Sequence, residues 1–339
     1  MKALLVSDLH LRPAHIEVAK KVLEKIKSVL KETNPEYLII GGDTFHTKNI
    51  VYVSVLTLFE EFLTEVTKSH KVICLVGNHD WGIPYESHSL QTLKMKNLKI
   101  VESYYRLNDS VGFIGYCREK SRFEEFMKSL DGCSILFGHL DLNGFELGSG
   151  WEETDSFCGA ERFTSFKKVF SGHFHKAQSK SLDSGAEVVY VGSGYTTDFS
   201  ESDQEKRFLL IDLATGEYES ILTGLTLHKT LSISAGDLLP ELDQDLINSG
   251  TNYRLIVSGS KDQINNVKIP SGYKAKIVFE IQTADSTRAN INSYDSHDKI
   301  MEKYVDFELR KDDNDKSLER DRLLKVGAAI LSRAGVLIK

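Results

Sequence analysis

Runs of apolar residues that fit β-strands alternate with amphipathic helical stretches at the start of the chain. Strand-type runs occupy residues 3–6, 37–40 and 71–76, and apolar residues recur at helical spacing in residues 16–30 and 50–67. Because parallel strands need a crossover between them, usually a helix, the order β-α-β-α-β predicts a sheet with parallel strands and covering helices. The expected fold class is therefore α/β.

Shorter strand patterns follow, interrupted by one predicted helix at residues 121–130. They lie at residues 99–101, 112–116, 134–137, 169–170, 187–191, 208–212 and 217–221. The series ends near residue 222, so we expect residues 1–223 to form the first and largest domain.

The pattern changes after this point. Residues 224–282 mix strand-like, helix-like and polar segments without further clusters of His and Asp at strand ends, which predicts a small α+β domain. Residues 283–339 begin with a polar linker and continue with helical patterns at 300–309 and 317–334. Two short amphipathic helices cannot bury their apolar faces alone, so we expect them to pack back or to bind another protein.

Length and composition are those of a globular protein. The chain has 339 residues, too many for one compact core to be the default. No apolar run approaches the roughly 20 residues needed to cross a bilayer, and the first residues form a strand pattern without signal-peptide architecture. The expected location is the cytoplasm, and the four cysteines, which lack paired spacing, are expected to be reduced.

Polar residues suited to metal binding follow the predicted strands at their carboxyl ends. Six of the eleven histidines lie in these turns. The groups in chain order are Asp8-x-His10, Asp43-x-x-His46, Asn78-His79-Asp80, His139 and His173-x-His175. One such group alone often only caps a helix or satisfies a turn. Five of them at strand ends of one sheet should converge on the rim where such sheets bind ligands.

This set of donors indicates divalent metal ions. Imidazole, carboxylate and amide oxygen together suit Mn, Fe or Zn, whereas Mg favours oxygen ligands alone. The set is too large for one ion, and a carboxylate between two groups of ligands suits a bridged pair about 3.5–4 Å apart. Because such a pair stabilises the attacking and leaving oxygens of a displacement at phosphorus, the predicted chemistry is phosphoester hydrolysis.

The motifs Asp-x-His, Gly-Gly-Asp, Gly-Asn-His-Asp, Gly-His and Gly-His-x-His, in this order, resemble the five blocks of the calcineurin-like metallophosphoesterases. The resemblance implies a β-sandwich flanked by helices and two divalent ions, with Mn expected. It implies one ion bound by Asp8, His10, Asp43 and His175, and another bound by Asp43, Asn78, His139 and His173. His79 would protonate the leaving oxygen, and Asp80 would orient the His79 ring.

Two further segments resemble the SbcD-like repair nucleases. Residues 42–46 read Gly-Asp-Thr-Phe-His, and residues 190–195 read Tyr-Val-Gly-Ser-Gly-Tyr. Two others resemble especially the tailed-phage version of these nucleases: Gly138-His139 followed by Leu-Asn-Gly-Phe at 142–145, and Phe-Ser-Gly-His-Phe-His at 170–175. The resemblance implies a DNA nuclease, both double-strand exonuclease and single-strand endonuclease, in DNA repair, recombination or replication. His46 would be a further catalytic residue. A phage-encoded protein of this kind would act in the host cytoplasm.

The same resemblance implies a partner, an SMC-like ATPase of the SbcC type. In that family the small domain, here residues 224–282, caps the nuclease domain and contacts DNA. The C-terminal helices, here within residues 283–339, dock at the root of the ATPase's coiled coil. The residues predicted to make that contact are Met301, Tyr304, Val305, Leu323 and Ile330.

The predicted helix at residues 50–67 is too apolar for one covered face. Apart from its main face, it has apolar residues at Ile50, Val53, Leu56 and Leu63. We therefore predict that a homodimer buries this second surface. The alternative is that other parts of the same chain cover it.

Two other functions stay open. The first is a phosphatase or small-molecule phosphodiesterase of the same superfamily. Against it count the C-terminal helices and residues 42–46, which lack the Asp-Arg-Gly element that serine/threonine phosphatases carry there. The second is a non-catalytic scaffold, against which the intact ligand set counts. A net charge of −7 is the weak point of the nuclease prediction, because binding DNA through surface charge requires clustered Lys and Arg. The metals or a partner would have to bind the phosphates instead.

Overall fold

The structure is a computed structural model that describes residues 1–147, 152–248, 250–281, 297–309, 320 and 323–325. Its strands are β1 (Lys2–Val6), β2 (Tyr37–Ile40), β3 (Lys71–Leu75), β4 (Leu98–Val101), β5 (Tyr104–Arg106), β6 (Val111–Ile114), β7 (Ile135–His139), β8 (Lys168–Gly172), β9 (Gln178–Ser181), β10 (Glu187–Tyr190), β11 (Arg207–Asp212), β12 (Tyr218–Leu222), β13 (His228–Ser234), β14 (Asn252–Gly259) and β15 (Ala275–Ile281). Its α-helices are α1 (Ile16–Thr33), α2 (Val53–Val66), α3 (Lys120–Ser129), α4 (Gln244–Asn248), α5 (Lys261–Asn265) and α6 (His297–Leu309).

Two six-stranded mixed sheets form the main part of the fold. The first has the order β12-β11-β1-β2-β3-β4, and its strands β1 to β4 are parallel. The second has the order β5-β6-β7-β8-β10-β9, and its four central strands are parallel. Because parallel strands end at the same edge, the carboxyl ends of β1, β2 and β3 lie together, as do those of β7 and β8.

A core between the two sheets makes the fold a sandwich. Alternate residues of a strand point to opposite faces, so Leu5, Ile39 and Ile73 of the first sheet share one face. These residues belong to the same buried cluster as Phe137 and Phe170 of the second sheet. All five are nearly inaccessible to solvent, as is expected for a core between two sheets.

Helices cover the outer faces. Leu4, Leu38 and Val72 point away from the sandwich core and belong to a second cluster with the buried faces of α1 and α2. The outer face of the second sheet belongs to a third cluster, with Phe123 and Phe126 of α3. The predicted α/β class and β-sandwich flanked by helices are therefore confirmed.

In the first domain, the pattern missed two edge strands. Strands β5 and β9 lie at opposite edges of the second sheet and are mostly exposed. Their short sequences, Tyr-Tyr-Arg and Gln-Ser-Lys-Ser, carry no alternation of apolar and polar residues, so sequence periodicity alone cannot reveal them. The other predicted strands of the first domain, and its three helices, are present with ends that differ by a few residues.

The chain divides into two compact units. The first comprises Met1–Lys229 and Asp243–Asn252, and the second comprises Thr230–Leu242 and the described residues from Tyr253 onward. The second unit has a three-stranded sheet of order β13-β14-β15 over a small core that includes Leu255 and Val257. The functional division at residues 223 and 282 stays a prediction.

Among the described residues, no helix is both long and apolar enough to cross a membrane. The four cysteines are free, and Cys74, Cys133 and Cys158 are buried. They lie in the apolar clusters of the first unit and pack as small hydrophobic residues.

Candidate metal centre

The predicted ligands lie in turns with an unusual backbone. Four of them have a positive φ, namely Asp8 (54°), His10 (42°), Asp43 (51°) and His173 (94°). Few residues other than glycine adopt this conformation, and such strain collects at functional sites. The turns after β1 and β2 are also hydrogen-bonded to each other, since the backbone N–H of His10 donates to the Asp43 carbonyl at 3.0 Å.

Two glycines let these turns lie close to the ligand residues of the site. A Cβ on Gly42, which has a φ of 103°, would overlap the His139 ring. A Cβ on Gly77 would overlap both the side chain and the backbone nitrogen of Asp43. The glycines of the Gly-Gly-Asp and Gly-Asn-His-Asp motifs are therefore required by the packing of the site itself.

The first group of ligands gathers Asp8, His10 and His175. Their nitrogen and oxygen donors lie within 4.8 Å of one another. The Nε2 atoms of His10 and His175 are 2.9 Å apart, and His175 Nε2 is 3.9 Å from Asp8 Oδ1. The Oδ2 atom of Asp43 lies 3.6 Å from His10 Nε2, so Asp43 completes this group.

The second group gathers Asp43, Asn78, His139 and His173. The Asn78 side-chain oxygen lies 2.9 Å from both His139 Nε2 and His173 Nδ1. The Oδ1 atom of Asp43 lies 3.4 Å from His139 Nε2. Asp43 therefore directs one carboxylate oxygen to each group, which is the arrangement expected of a bridging ligand.

The ligand atoms are oriented by partners behind them. His139 Nδ1 lies 2.7 Å from the Gly41 carbonyl, so that nitrogen donates and Nε2 faces the site. Burial lowers the pKa of His10 well below its usual range, and burial together with His139 lowers the pKa of His173 to about 3. Both rings are therefore neutral at pH 7 and keep a free lone pair for a cation.

Opposite charges at the bridge stabilise each other. Burial opposes ionisation of Asp43, but the charge and hydrogen bond of His139 outweigh it and lower the pKa of Asp43. Burial opposes protonation of His139 in the same way, but Asp43 raises the pKa of His139 to about 9. A cation at this place would replace that proton, because metal ions compete with protons for imidazole. The mixed N and O donors fit a pair of divalent ions.

A family model described as calcineurin-like phosphoesterase matches residues 1–177, more than half of the chain. The chain belongs to the calcineurin-like phosphoesterase family. Members of this family hydrolyse phosphoester bonds with divalent metal ions, and the two ligand groups lie within the matched residues.

This phosphoesterase is similar to several viral and cellular proteins. It is 26% identical to protein 244L of Invertebrate iridescent virus 6, over 64% of this chain and 79% of that protein. It is 22% identical to exonuclease subunit 1 of Enterobacteria phage T4, over 90% of this chain and 92% of that protein. It is 25% identical to the DNA double-strand break repair protein Mre11 of Nanoarchaeum equitans, over 61% of this chain and 65% of that protein.

The two remaining histidines of the phosphoesterase site lie beside the first ligand group. The ring centroid of His79 is 4.8 Å from that of His10, and the rings of His79 and His46 stack at 5.8 Å. His79 Nδ1 lies 2.7 Å from the His46 carbonyl, so Nδ1–H donates there and Nε2 stays available. The catalytic roles of both residues stay predictions.

The predicted contact between Asp80 and the His79 ring is wrong. The Asp80 carboxylate accepts hydrogen bonds from the backbone N–H groups of Thr44, Phe45 and Gly77, at 3.0–3.3 Å. A buried carboxylate surrounded by backbone donors stabilises the turn that contains Asp43. The carbonyl of His46 orients the His79 ring instead, a role that residue types alone do not indicate.

A buried ion pair behind His175 was not predicted. Glu201 Oε1 lies 2.7 Å from His175 Nδ1, and Glu201 Oε2 lies 2.8 Å from Lys206 Nζ. Glu201 and Lys206 are only 2% and 5% exposed. Burial opposes ionisation of Glu201, but His175 and Lys206 outweigh it and lower its pKa. The pair therefore holds the His175 ring with Nε2 towards the site.

Arg12 is a second residue that the motifs did not reveal. Its Nη1 lies 3.2 Å from His46 Nε2, and its Nε donates to His15 Nδ1 at 2.8 Å. Because arginine can only donate, His46 Nε2 must accept. Arg12 thus places a positive charge at the rim of the centre, and its position two residues after His10 was the available signal.

Four of the residues predicted to bind a partner are described, and they lie in the second unit. Val305 is buried, Met301 is half-buried, and Tyr304 and Leu323 are exposed. Asp306 of α6 accepts from Arg320 Nε at 2.7 Å. Ile330 and most of the helix predicted at 317–334 lie outside the described residues.

The surface predicted for a homodimer is smaller than the sequence suggested. Leu63 is buried within the chain, and Leu56 packs partly against the core beneath α2. Ile50, Tyr52 and Val53 remain exposed at the start of the helix, with Val53 77% exposed.

Proposed function

We propose that this protein is a metal-dependent DNA nuclease that hydrolyses phosphodiester bonds with two metal ions, most favourably Mn. It would act as a double-strand exonuclease and a single-strand endonuclease in DNA repair, recombination or replication. The observation that carries the proposal is Asp43, whose two oxygens face two separate ligand groups. Two ions that share one bridging carboxylate suit in-line displacement at phosphorus.

Two observations support DNA as the substrate. Residues 42–46 and 190–195 resemble SbcD-like nucleases, and residues 138–145 and 170–175 resemble the tailed-phage version. The similarity to exonuclease subunit 1 of phage T4 extends over 90% of this chain, well beyond the metal centre. A relation limited to the catalytic motifs would not extend through the second unit.

The residues of the metal centre would have separate roles in the reaction. Two ions bound there would activate water and stabilise the charge that develops on the phosphate. Asp43 and Asn78 would keep the two ligand groups in fixed positions relative to each other. When protonated, His79 keeps Nδ1–H on the His46 carbonyl and can offer Nε2–H to the leaving oxygen. Arg12 keeps His46 Nε2 as an acceptor.

The resemblance to SbcD-like proteins also supports an assembly. The protein would work with an SMC-like ATPase of the SbcC type through Met301, Tyr304, Val305, Leu323 and Ile330. It would form a homodimer through Ile50 and Val53, and it would act in the cytoplasm, of the host if the gene belongs to a phage.

The nuclease proposal is tested by offering three substrates to the Mn-loaded protein: linear DNA, a nucleotide phosphomonoester and a cyclic nucleotide. We expect cleavage of DNA, measured by release of acid-soluble nucleotides. Intact DNA alongside cleavage of the monoester or the cyclic nucleotide would overturn the proposal in favour of a phosphatase or small-molecule phosphodiesterase. Failure to bind Mn and to cleave any of the three would indicate the scaffold.

Two variants separate the predicted roles within the Gly-Asn-His-Asp turn. His79→Ala should lower kcat by about 10²–10⁴-fold, as loss of a general acid does, and leave both metal ions bound. Asn78→Ala should reduce binding of one ion, because Asn78 faces only the second ligand group. Metal content is measured by mass spectrometry of the dialysed protein. Equal metal loss in both variants would contradict this separation.

A further inference from the structure

Two adjoining cavities open beside the second ligand group. They share the residues directly after β6, namely Tyr116, Cys117 and Arg118. The smaller cavity, about 170 Å³, reaches the ligand His139. The larger cavity, about 390 Å³, is lined on its other side by Trp81 and Tyr85. Its volume lies in the range of small-ligand sites, about 300–1,000 Å³.

Tyr116 connects these cavities with the metal centre. Its ring centroid lies 6.2 Å from that of His139 and 6.1 Å from that of His173. A group seated in the larger cavity would therefore be next to a phosphate bound at the second ligand group. The cavity is in position for the nucleotide that adjoins the scissile bond.

The lining of the larger cavity combines aromatic rings with two guanidinium groups, those of Arg118 and Arg122. The Trp81 and Tyr85 rings are 6.4 Å apart, and the Arg118 guanidinium lies 5.4 Å from the Tyr85 centroid. Arg118 is exposed and forms no ion pair within the described part of the chain. Aromatic faces stack on unpaired bases, and arginine binds phosphate and stacks on rings.

The loop that carries the two aromatic residues is held in place. Trp81 packs edge-on against His88 at 5.2 Å, and the backbone N–H of Gly82 donates to the Ser87 carbonyl at 2.9 Å. Tyr85 has a φ of 73°, a conformation that a tyrosine rarely adopts. A strained, hydrogen-bonded loop that presents aromatic rings is typical of a preformed binding site.

Acidic residues limit what the cavity can accept. Glu102 and Glu119 line it together with Arg118 and Arg122, and Glu102 lies 3.3 Å from His88 Nε2. Because the two acidic side chains offset the two arginines, the lining has no excess positive charge for a run of several phosphates, such as a duplex backbone. It is compatible with one base among the rings and one phosphate at Arg118. Bases within a duplex are stacked on each other, so only an unpaired base can enter.

We propose that Trp81, Tyr85, Tyr116 and Arg118 form a subsite for an unpaired nucleotide next to the scissile phosphate. This inference rests on the proposed nuclease function and names its substrate more closely, as a single-stranded or frayed DNA strand. The rings bind the base, and Arg118 binds the adjoining phosphate.

The test compares a substrate that has bases with one that has none. The substrates are oligothymidylate and methyl p-nitrophenyl phosphate, and the protein is the Mn-loaded full chain. The variants are Arg118→Gln and Tyr85→Asn, because asparagine tolerates a positive φ. Tyr85→Phe keeps the ring, and Lys96→Gln removes an exposed positive charge that lines neither cavity.

Loss of one stacking contact corresponds to a weakening of about 5- to 150-fold. Tyr85→Asn should therefore raise the KM for oligothymidylate by that factor more than the KM for methyl p-nitrophenyl phosphate. Arg118→Gln should also raise the KM for oligothymidylate more than the KM for methyl p-nitrophenyl phosphate, because only oligothymidylate has an adjoining phosphate. Tyr85→Phe and Lys96→Gln should behave as wild type. Binding of oligothymidylate, measured by fluorescence anisotropy in the His79→Ala background, should weaken in parallel.

The remaining outcomes show whether the subsite alone or the nuclease function as well is overturned. If the wild-type protein cleaves DNA but the variants keep its KM and binding, the subsite is overturned and the nuclease function stands. If the KM for both substrates changes equally, the residues only support the fold, and the subsite is again overturned. If the wild-type protein leaves DNA intact, the nuclease function and the subsite fall together.

Discussion

At the scale of single residues, the buried pair Glu201 and Lys206 determines how His175 is held. A carboxylate behind a metal-binding histidine fixes the orientation of its ring and raises its basicity as a ligand. Lys206 keeps that carboxylate ionised in a place that water hardly reaches. Removing one partner of such a pair leaves an uncompensated buried charge, which costs about 3–5 kcal/mol.

Glu201→Gln is therefore expected to have two effects. It should lower the free energy of unfolding by about 3–5 kcal/mol, because Lys206 loses its counter-charge. It should weaken metal binding by about 10–100-fold, because the His175 ring loses its charged partner. Denaturant unfolding of the metal-free protein and titration with Mn measure the two effects separately.

The double variant Glu201→Gln with Lys206→Met is the matched control. Without either charge, most of the stability should return, whereas metal binding should stay weak. Recovery of metal binding together with stability would mean that Glu201 acts only on the fold.

The side-chain contacts of the Gly-Asn-His-Asp turn also belong to this scale. Its four residue types are visible in the sequence, but the partner of each side chain is not. Asp80 binds the backbone of the turn after β2, and His79 binds the His46 carbonyl. Both contacts join residues more than 30 positions apart, so no local pattern records them.

At the scale of elements, the start of α2 presents an exposed apolar surface in the part of the chain that the structure describes. Ile50, Tyr52 and Val53 are exposed together, while the rest of the apolar surface of α2 is at least partly buried. Single exposed apolar residues are ordinary, but neighbouring ones mark candidate interaction surfaces. The proposed homodimer would bury these three residues.

Val53→Glu should convert the dimer into a monomer. A charge placed at the centre of a desolvated interface loses water without gaining a partner. The mass in solution is measured by light scattering coupled to gel filtration. Leu238→Glu is the control, because Leu238 is a 94% exposed leucine of the second unit. A wild-type protein that is monomeric at all concentrations would contradict the homodimer proposal.

At the scale of the whole molecule, the charge balance determines how the protein can bind DNA. The chain has a net charge of −7, with 42 Lys and Arg against 49 Asp and Glu. A protein that neutralises many phosphates releases many counterions, and its affinity then falls steeply with salt. An acidic protein that binds DNA through its metal centre and a small subsite should release few counterions.

The isolated subunit is therefore expected to bind duplex DNA weakly and with a shallow salt dependence. The measurement is binding of labelled DNA to Mn-loaded His79→Ala protein at several salt concentrations. A slope of log K against log salt that corresponds to only about one or two phosphate contacts is expected, since each contact adds about 0.9 to the slope. A steep slope would show that a basic surface binds DNA without help from a partner.

The sequence by itself determined the parallel strands, the α/β class and the set of polar residues at the strand ends. Each of these depends on local information, because periodicity and residue type are read directly along the chain. The sandwich and the sharing of Asp43 by two ligand groups were expected only from the family resemblance. The tertiary structure alone decided that Glu201 supports His175, that Asp80 binds the backbone of the turn after β2, and that Trp81 and Arg118 line one cavity. These features join residues far apart in the chain, and such contacts exist only once the strands have paired and the two sheets have packed against each other.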